Sequence, residues 1–510
     1  METPTPMTPT LRRGTLHAPL VVFALALAGC AAFPSGMAPD EPREHDARRY
    51  TVDPIALRAT LTPTDAAALR GHGAFGPLPT VATDRWVGVL DGAAYQIEVP
   101  KDWNGELVMY THGYRGTGEA LTVTPPRIRR HLVANGYAWA ASSYSANHYD
   151  VRAGVEDTNA LALAFTRIAR ENGRTLPEPT RRFVTGHSMG GHIAAAAVER
   201  ETIERARNTV RYDGAVPMCG VMGDTALFDG FTAFQAAALR MAGVKAEALP
   251  IPDWPALAPK VRERFFATFP APNVPGVLTA DGERLRDAWV GLSGGERPGA
   301  REAFTLPPGG GGFTSVVWGG FGSDTRLNGI LARPGFDTRS VVYRVPGDAA
   351  LEADLNRSAL RVAADPQANL PRRDGVRWIP VLPAQVSVPV VSIHTIGDSY
   401  VWFSMQQVYK RRADAAGTAD RLVQRATRGL GHCDFTLAEE EEAFDAMATW
   451  VRFGRRPNGD DVLDPATVAA PTYGCRFSRT PRDEDAPLVK TLRARLPACP
   501  EGSAARAFGG

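Results

Sequence analysis

The sequence predicts an α/β domain: a mostly parallel sheet flanked by helices and interrupted by one long insertion. Three observations predict it. Short strand-like runs recur at Leu107–Thr111, Ala138–Tyr144, Phe183–Thr185, Gly214–Met218, Val388–Ile396 and Leu422–Ala426, the first two continuously apolar as in a strand buried on both faces and Val388–Ile396 strongly β-branched. Segments with helical spacing alternate with them, at Val155–Arg170, Met189–Arg200 and around Phe444, Met447 and Val451. Between Met218 and Val388 that alternation stops for about 170 residues.

The chain's 510 residues are enough for a large core plus an insertion. Hydrophobic residues make up 44% and charged residues 22%, an ordinary globular balance. A net charge of +2 with no long basic run argues against nucleic acid as a partner.

From the N-terminus, Arg12 and Arg13 precede the apolar stretch Leu20–Leu27, which falls short of the roughly 18–20 residues that span a bilayer. It ends in Leu27-Ala28-Gly29-Cys30, which resembles a bacterial lipobox. That resemblance implies a signal peptide over 1–29, acylation of Cys30 and membrane anchoring of an exported protein. Ala31 and Ala32 follow with no Asp, which points to the outer membrane. A plain secretory signal is the rival reading. Residues 30–80 read as a tether and N-terminal extension. Within 81–223, Trp86–Leu90 and Tyr95–Val99 alternate around Asp91-Gly92 as a hairpin, and the parallel strands begin after it. Residues 224–385 read as a cap or lid; it opens with an amphipathic helix near Phe231–Met241 and contains the turn-forming run Pro307-Pro308-Gly309-Gly310-Gly311-Gly312. The core resumes over 386–455, and 456–510 forms a C-terminal tail.

Apart from Cys30, the cysteines are Cys219, Cys433, Cys475 and Cys499, an even number that allows three connectivities in an oxidising compartment. Cys475 and Cys499 share the tail, and Cys219 and Cys433 each follow a strand near the chemistry, which favours 219–433 and 475–499. No CxxC or paired-His spacing supports a zinc site.

The chemistry centres on Gly186-His187-Ser188-Met189-Gly190, a Gly-x-Ser-x-Gly between an apolar strand and an Ala-rich helix. A strand that turns this sharply into a helix strains the serine backbone and leaves no room for side chains at the flanking positions. The serine then stands at a helix N-terminus, where developing negative charge is favoured. Serine needs a base. His192 is too near in sequence to swing round, and His394 lies within a buried strand. Among the three histidines that follow Ser188, the side of the serine on which a Gly-x-Ser-x-Gly motif expects its base, that leaves His432, in Gly429-Leu430-Gly431-His432-Cys433-Asp434. The base needs a carboxylate. Asp398 stands one residue past the end of the strand Val388–Ile396, after Gly397, and Asp224 in Met222-Gly223-Asp224 is the runner-up, otherwise an N-cap for the cap helix. Two N–H donors must receive the oxyanion. Met189 N–H follows the serine, and the loop His112-Gly113-Tyr114-Arg115-Gly116 resembles the His-Gly oxyanion loop of lipases and esterases, which implies Tyr114 N–H as the second donor. His112 is expected to hold that loop.

His112-Gly113, Gly186 to Gly190, Gly397-Asp398 and Gly431-His432 occur in the order and spacing of the α/β-hydrolase superfamily, which the chain resembles over about 85–223 and 386–455. The resemblance implies an α/β-hydrolase fold and hydrolysis of a carboxylic ester, thioester or amide through an acyl-enzyme. It implies neither metal nor organic cofactor, with Ser188, Asp398 and His432 as the triad. Cys433 beside the base is similar to tannases and feruloyl esterases, where a disulfide ties the serine and histidine loops. In that group a cysteine directly precedes the serine, whereas His187 stands here, so Cys219 becomes the implied partner. His187 is a candidate pocket residue. Trp402 and Phe403, with Tyr144 and Tyr149, are candidates for an aromatic wall. An exported serine esterase is the favoured reading. A serine peptidase or amidase of the same fold, and a non-catalytic binding protein on that scaffold, are the alternatives. The acyl group, the alcohol and the oligomeric state are not written in these motifs.

Overall fold

The computed structural model of the chain describes residues 41–58, 75–251, 253–271, 274–307 and 324–504. The signal-peptide reading of 1–29, the lipidation reading of Cys30 and the glycine run at 309–312 lie outside the described residues. Eight strands form the main sheet: β1 (Thr83–Leu90), β2 (Ala93–Pro100), β3 (Glu106–Thr111), β4 (Ala138–Ser142), β5 (Arg181–His187), β6 (Gly214–Met218), β7 (Val390–Thr395) and β8 (Leu422–Thr427). Their order is β8-β7-β6-β5-β3-β4-β2-β1. The β1–β2 hairpin and the β2–β4 pair are antiparallel, and every other pairing is parallel. This is the strand order of the α/β-hydrolase fold. β3, β6, β7 and β8 are buried at every position, which is why they show no apolar–polar alternation, and polar residues within them such as Ser392 and Gln424 are hydrogen-bonded inside the fold, both to Gln406.

The helices that place the site are α1 (Arg129–Ala134), α2 (Val151–Glu171), α3 (Met189–Ala196), α4 (Ala226–Met241), α5 (Trp254–Phe265), α6 (Ala280–Leu292), α7 (Ala349–Ser358), α8 (Ser404–Ala416), α9 (Leu437–Phe453) and α10 (Pro487–Arg493). One face of the sheet is covered by α2, α3 and α8, through Val155, Phe165, Ile193, Met405 and Tyr409. The other is covered by α1 and α9, through Leu132, Val133, Phe444 and Met447. Phe444 sits edge-on to Tyr137 at 5.1 Å and to Phe183 at 5.9 Å. A side chain of this size buried in full contributes about 1.5–3 kcal/mol. The free edge of β8 is capped by Asp460, whose N–H donates to Gln424 O (2.7 Å) and whose carboxylate accepts from Ala426 N (2.8 Å).

The insertion carries α4 to α7. Part of the segment expected as a tether is instead packed on the core. Thr51–Val52 pair in parallel with Ala120–Leu121, the His45 ring lies 2.9 Å from Asp150, and the Arg43 guanidinium lies 3.4 Å over Trp378. The charged residues that gave the segment its tether-like composition are used as clasps. The C-terminal segment likewise folds back onto the core, carrying α10 between Cys475 and Cys499, which are joined.

Candidate active site

Ser188, Asp398 and His432 each follow the C-terminal end of a parallel strand, β5, β7 and β8 in turn, where open α/β sheets place their sites. The β5–α3 turn holds Ser188 at φ 59°, ψ −122°, a strained conformation that costs about 1–3 kcal/mol. The turn is tight enough that a Cβ at Gly186 would overlap Thr111 Oγ1, and one at Gly190 would overlap Thr111 O. Thr111 Oγ1 donates to Gly190 O (2.7 Å), locking the turn to β3. Ser188 N donates to Met218 O (3.0 Å), locking it to β6.

Ser188 Oγ lies 2.8 Å from His432 Nε2, and His432 Nδ1 lies 2.7 Å from Asp398 Oδ2. Asp398 is fully buried. Its Oδ1 accepts from the N–H groups of Tyr400 and Val401, each at 2.9 Å, which leaves Oδ2 to the imidazole. That contact makes Nδ1 the protonated nitrogen and Nε2 the acceptor for the serine proton. The histidine loop is fixed by Thr395 Oγ1, which donates to Gly431 O (2.9 Å), and by the Cys219–Cys433 disulfide. Arg297, a cap residue with no motif around it, is buried and donates through Nε to Ile396 O (2.5 Å), two residues before Asp398. Burial pulls its pKa down to about 10, with the Asp398 charge among the groups opposing that shift.

Asp224 is placed elsewhere. Its Oδ2 pairs with Arg412 (2.6 Å) and accepts from Leu382 N (2.8 Å), and Thr225, not Asp224, is the N-cap of α4. His394 is a core residue, with Nε2 donating to Val401 O (2.8 Å); burial lowers its pKa. His192 donates from Nε2 to Pro380 O (2.8 Å), so its Nδ1 accepts from Tyr149 OH (3.0 Å).

Met189 opens α3, and the first amides of a helix have no acceptor within it. The loop after β3 passes directly over the serine: a Cβ on Gly113 would lie 3.1 Å from Ser188 Cβ, and Tyr114 lines the same cavity as Ser188. His112 braces this loop. Burial drives its pKa to about 3, so it is neutral, and Nδ1 donates to Gly113 O (2.7 Å). Its ring stacks on Tyr144 at 4.2 Å, and Tyr144 OH donates to His112 O (2.9 Å).

A cavity of about 230 Å³ opens over Ser188. Its walls are Tyr149, Val221, Leu227, Phe228, Phe231 and Tyr400. Two expectations need correction here. Trp402 is buried behind the wall, 5.1 Å from the Phe231 ring, because the loop after Asp398 turns inward; its Nε1 donates to Ser399 O (3.2 Å). His187, the last residue of β5, faces away from the cavity: Nδ1 lies 3.2 Å from Tyr110 OH and Nε2 lies 3.2 Å from Glu440. Burial would raise Glu440, but Arg127 and His187 overcome it and hold the carboxyl below its ordinary value. Of the other aromatics, Tyr149 lines the cavity, whereas Tyr144 and Phe403 do not. Besides Val221, Tyr400 and Val401 on the loops, the lining residues missed were three on the cap helix, Leu227, Phe228 and Phe231. Their i, i+1, i+4 apolar spacing at the start of the cap helix was the available signal.

Among the described residues, Cys219, His432 and Cys433 have ligand atoms close enough to hold a metal ion, but the two sulfurs are already bonded to each other. No described helix is long and apolar enough to cross a membrane.

No family model matches the chain, and no curated protein matches it. Solved structures similar to it include feruloyl esterase B from Aspergillus oryzae, at 16% identity and TM-score 0.40, covering 77% of this chain and 85% of that one. An esterase from the same organism aligns at 13% identity and TM-score 0.39, covering 74% and 81%. The rice cell wall degrading esterase LipA from Xanthomonas oryzae aligns at 15% identity and TM-score 0.33, covering 73% and 87%.

Proposed function

We propose that this chain, with its α/β-hydrolase fold, is a serine carboxylic ester hydrolase that works through an acyl-enzyme. The observation that carries the reading is the continuous hydrogen-bonded line Ser188–His432–Asp398, set on a strained turn at the floor of an apolar cavity. In the proposed cycle, Ser188 Oγ attacks the ester carbon while His432 Nε2 takes its proton. The oxyanion is received by Met189 N–H at the start of α3 and by Tyr114 N–H. His432 then gives the proton to the departing alcohol, and water deacylates the serine by the reverse route. Buried Asp398 supports the imidazolium and keeps its ring oriented.

The aromatic walls Tyr149, Phe228 and Phe231 suit a short alkyl or single-ring acyl group. Two disulfides suit an oxidising compartment, and we place the enzyme outside the cytoplasm, anchored through Cys30. The test is a panel of p-nitrophenyl esters of graded chain length set beside aminoacyl-proline anilides, on protein beginning after Cys30. The esters are expected to turn over and the anilides not. Ser188→Ala should lower kcat by roughly 10⁴-fold or more with an unchanged melting curve. Ester turnover at the wild-type rate by that variant would falsify the assignment.

A further inference from the structure

A second cavity, of about 350 Å³, adjoins the first and shares Tyr400 and His432 with it. It is not walled by the cap. Gly431, His432, Cys433 and Asp434 form one side, and Ala486, Leu488, Val489 and Leu492 of the C-terminal segment form the other. Ser188, Tyr114 and the cap aromatics belong to the first cavity and not to this one. The opposing wall is firmly built. Arg493 donates to Asp434 O (2.6 Å) and pairs with Glu439 (2.7 Å), Asp485 accepts from Leu437 N (2.7 Å), and Cys475–Cys499 closes the segment. Arg127 at the cavity's margin is engaged by Glu440 and by Phe435 O, at 2.5 and 2.8 Å, and the α10 residues that line it, Leu488, Val489 and Leu492, are aliphatic.

We propose that α10 and the segment around it form the alcohol-side subsite, taking an apolar or aromatic alcohol. The inference rests on the ester-hydrolase reading and follows from proton geometry. In acylation the Ser188 Oγ–carbon bond forms, the carbon–oxygen bond to the alcohol breaks, and the serine proton passes through His432 Nε2 to the departing oxygen. That oxygen must therefore sit within reach of Nε2, on the histidine side of the serine. The acyl group, whose carbonyl oxygen faces Met189 and Tyr114, occupies the first cavity. The alcohol is left with the space that His432 lines and Ser188 does not. The Tyr400 ring, 5.3 Å from the His432 ring and nearly parallel to it at 27°, is the ridge between the two.

Leu488 is the residue to change, because it lines this cavity at 47% exposure and its replacement does not disturb the core. The measurement is kcat/KM for ethyl and 2-naphthyl esters of butyrate and hexanoate. Leu488→Trp should lower the naphthyl-to-ethyl ratio by about tenfold for both acyl groups. Phe231→Ala should instead move the hexanoate-to-butyrate ratio. Equal losses on both alcohols in Leu488→Trp would overturn the subsite. A separate readout is 2-naphthol binding to Ser188→Ala protein by fluorescence: saturable binding, weakened by about tenfold in the Ser188→Ala, Leu488→Trp double variant, is expected. Absence of saturable binding would overturn the subsite as well. If the wild-type chain cleaved none of the four esters while naphthol binding behaved as expected, the ester reading would fall and the alcohol-binding cavity would stand.

Discussion

Asp398 and Asp224 each follow the end of a parallel strand, and each is buried. What separates them is the partner at each oxygen. Asp398 has one oxygen held by two backbone amides and the other turned to His432. Both oxygens of Asp224 face Arg412, from a distant helix, and one also takes Leu382 N. That decision depends on residues more than 150 positions apart, so the sequence could rank the two acids but not derive the answer. Trp402 misled for a similar reason: proximity to Asp398 along the chain says nothing of which way the loop turns. Ser188 and His432 were legible because their constraints are local, in the glycines of the turn and in the shortage of competing histidines. Asp398→Asn should lower kcat by roughly 10⁴-fold, since the wrong imidazole tautomer is then favoured, with little change in stability. Asp224→Asn should leave kcat within a few-fold and lower stability by about 1–3 kcal/mol, because Arg412 loses its counter-charge. Parallel kinetics and urea melts on the two variants separate these roles, and an inactive but fully stable Asp224→Asn would reverse them.

At the scale of elements, the site is a junction of loops that no single element holds. Ser188, Cys219 and Cys433 all carry positive φ, at 59°, 43° and 55°. Conformations of this kind persist in non-glycine residues only where the surroundings over-determine them. For the serine, the surroundings are Thr111 and the β6 carbonyl. For the two cysteines, they include the bond between them, which joins positions 214 apart. The bond ties the loop after β6, which contributes Val221 to the cavity, to the loop that carries His432. Cys219→Ala with Cys433→Ala should therefore do two things. Stability should fall by about 2–4 kcal/mol from the freed unfolded chain. In addition kcat should fall by about 10–100-fold, because an imidazole displaced by a fraction of an ångström meets the serine poorly. A variant that lost stability but kept its kcat would show that the disulfide serves the fold alone.

For the molecule as a whole, the sheet was readable and the seams were not. The strands and their mostly parallel arrangement followed from buried runs alternating with helices, whereas the strand order came only with the structure. The clasping of the N-terminal segment and of residues 371–385 onto the core depends on single charged contacts that carry no periodic signal. Glu199, just past α3, is the most demanding of these contacts. Its carboxyl receives Ala384 N (2.9 Å), Gln385 N (2.8 Å) and Tyr409 OH (3.3 Å) across the seam, yet burial outweighs them and raises its pKa to about 8. The folded chain thus keeps a proton that the unfolded chain releases near 4.5. The stability this proton contributes is fully present below about 4.5, is lost progressively as pH rises, and is gone above about 8. Glu199→Gln is neutral throughout and removes that dependence. Asp229 and Asp434, each raised to about 7 by burial, act in the same direction but are common to both proteins and cancel in the difference. The stability of Glu199→Gln relative to wild type should accordingly improve between pH 5 and 8 with a slope of up to about 1.4 kcal/mol per unit. The improvement should level off beyond that range. Urea midpoints for both proteins across pH 4 to 9 measure it. A difference that stayed constant from pH 5 to 8 would mean that Glu199 is already ionised in the fold, with the seam's three donors outweighing its burial.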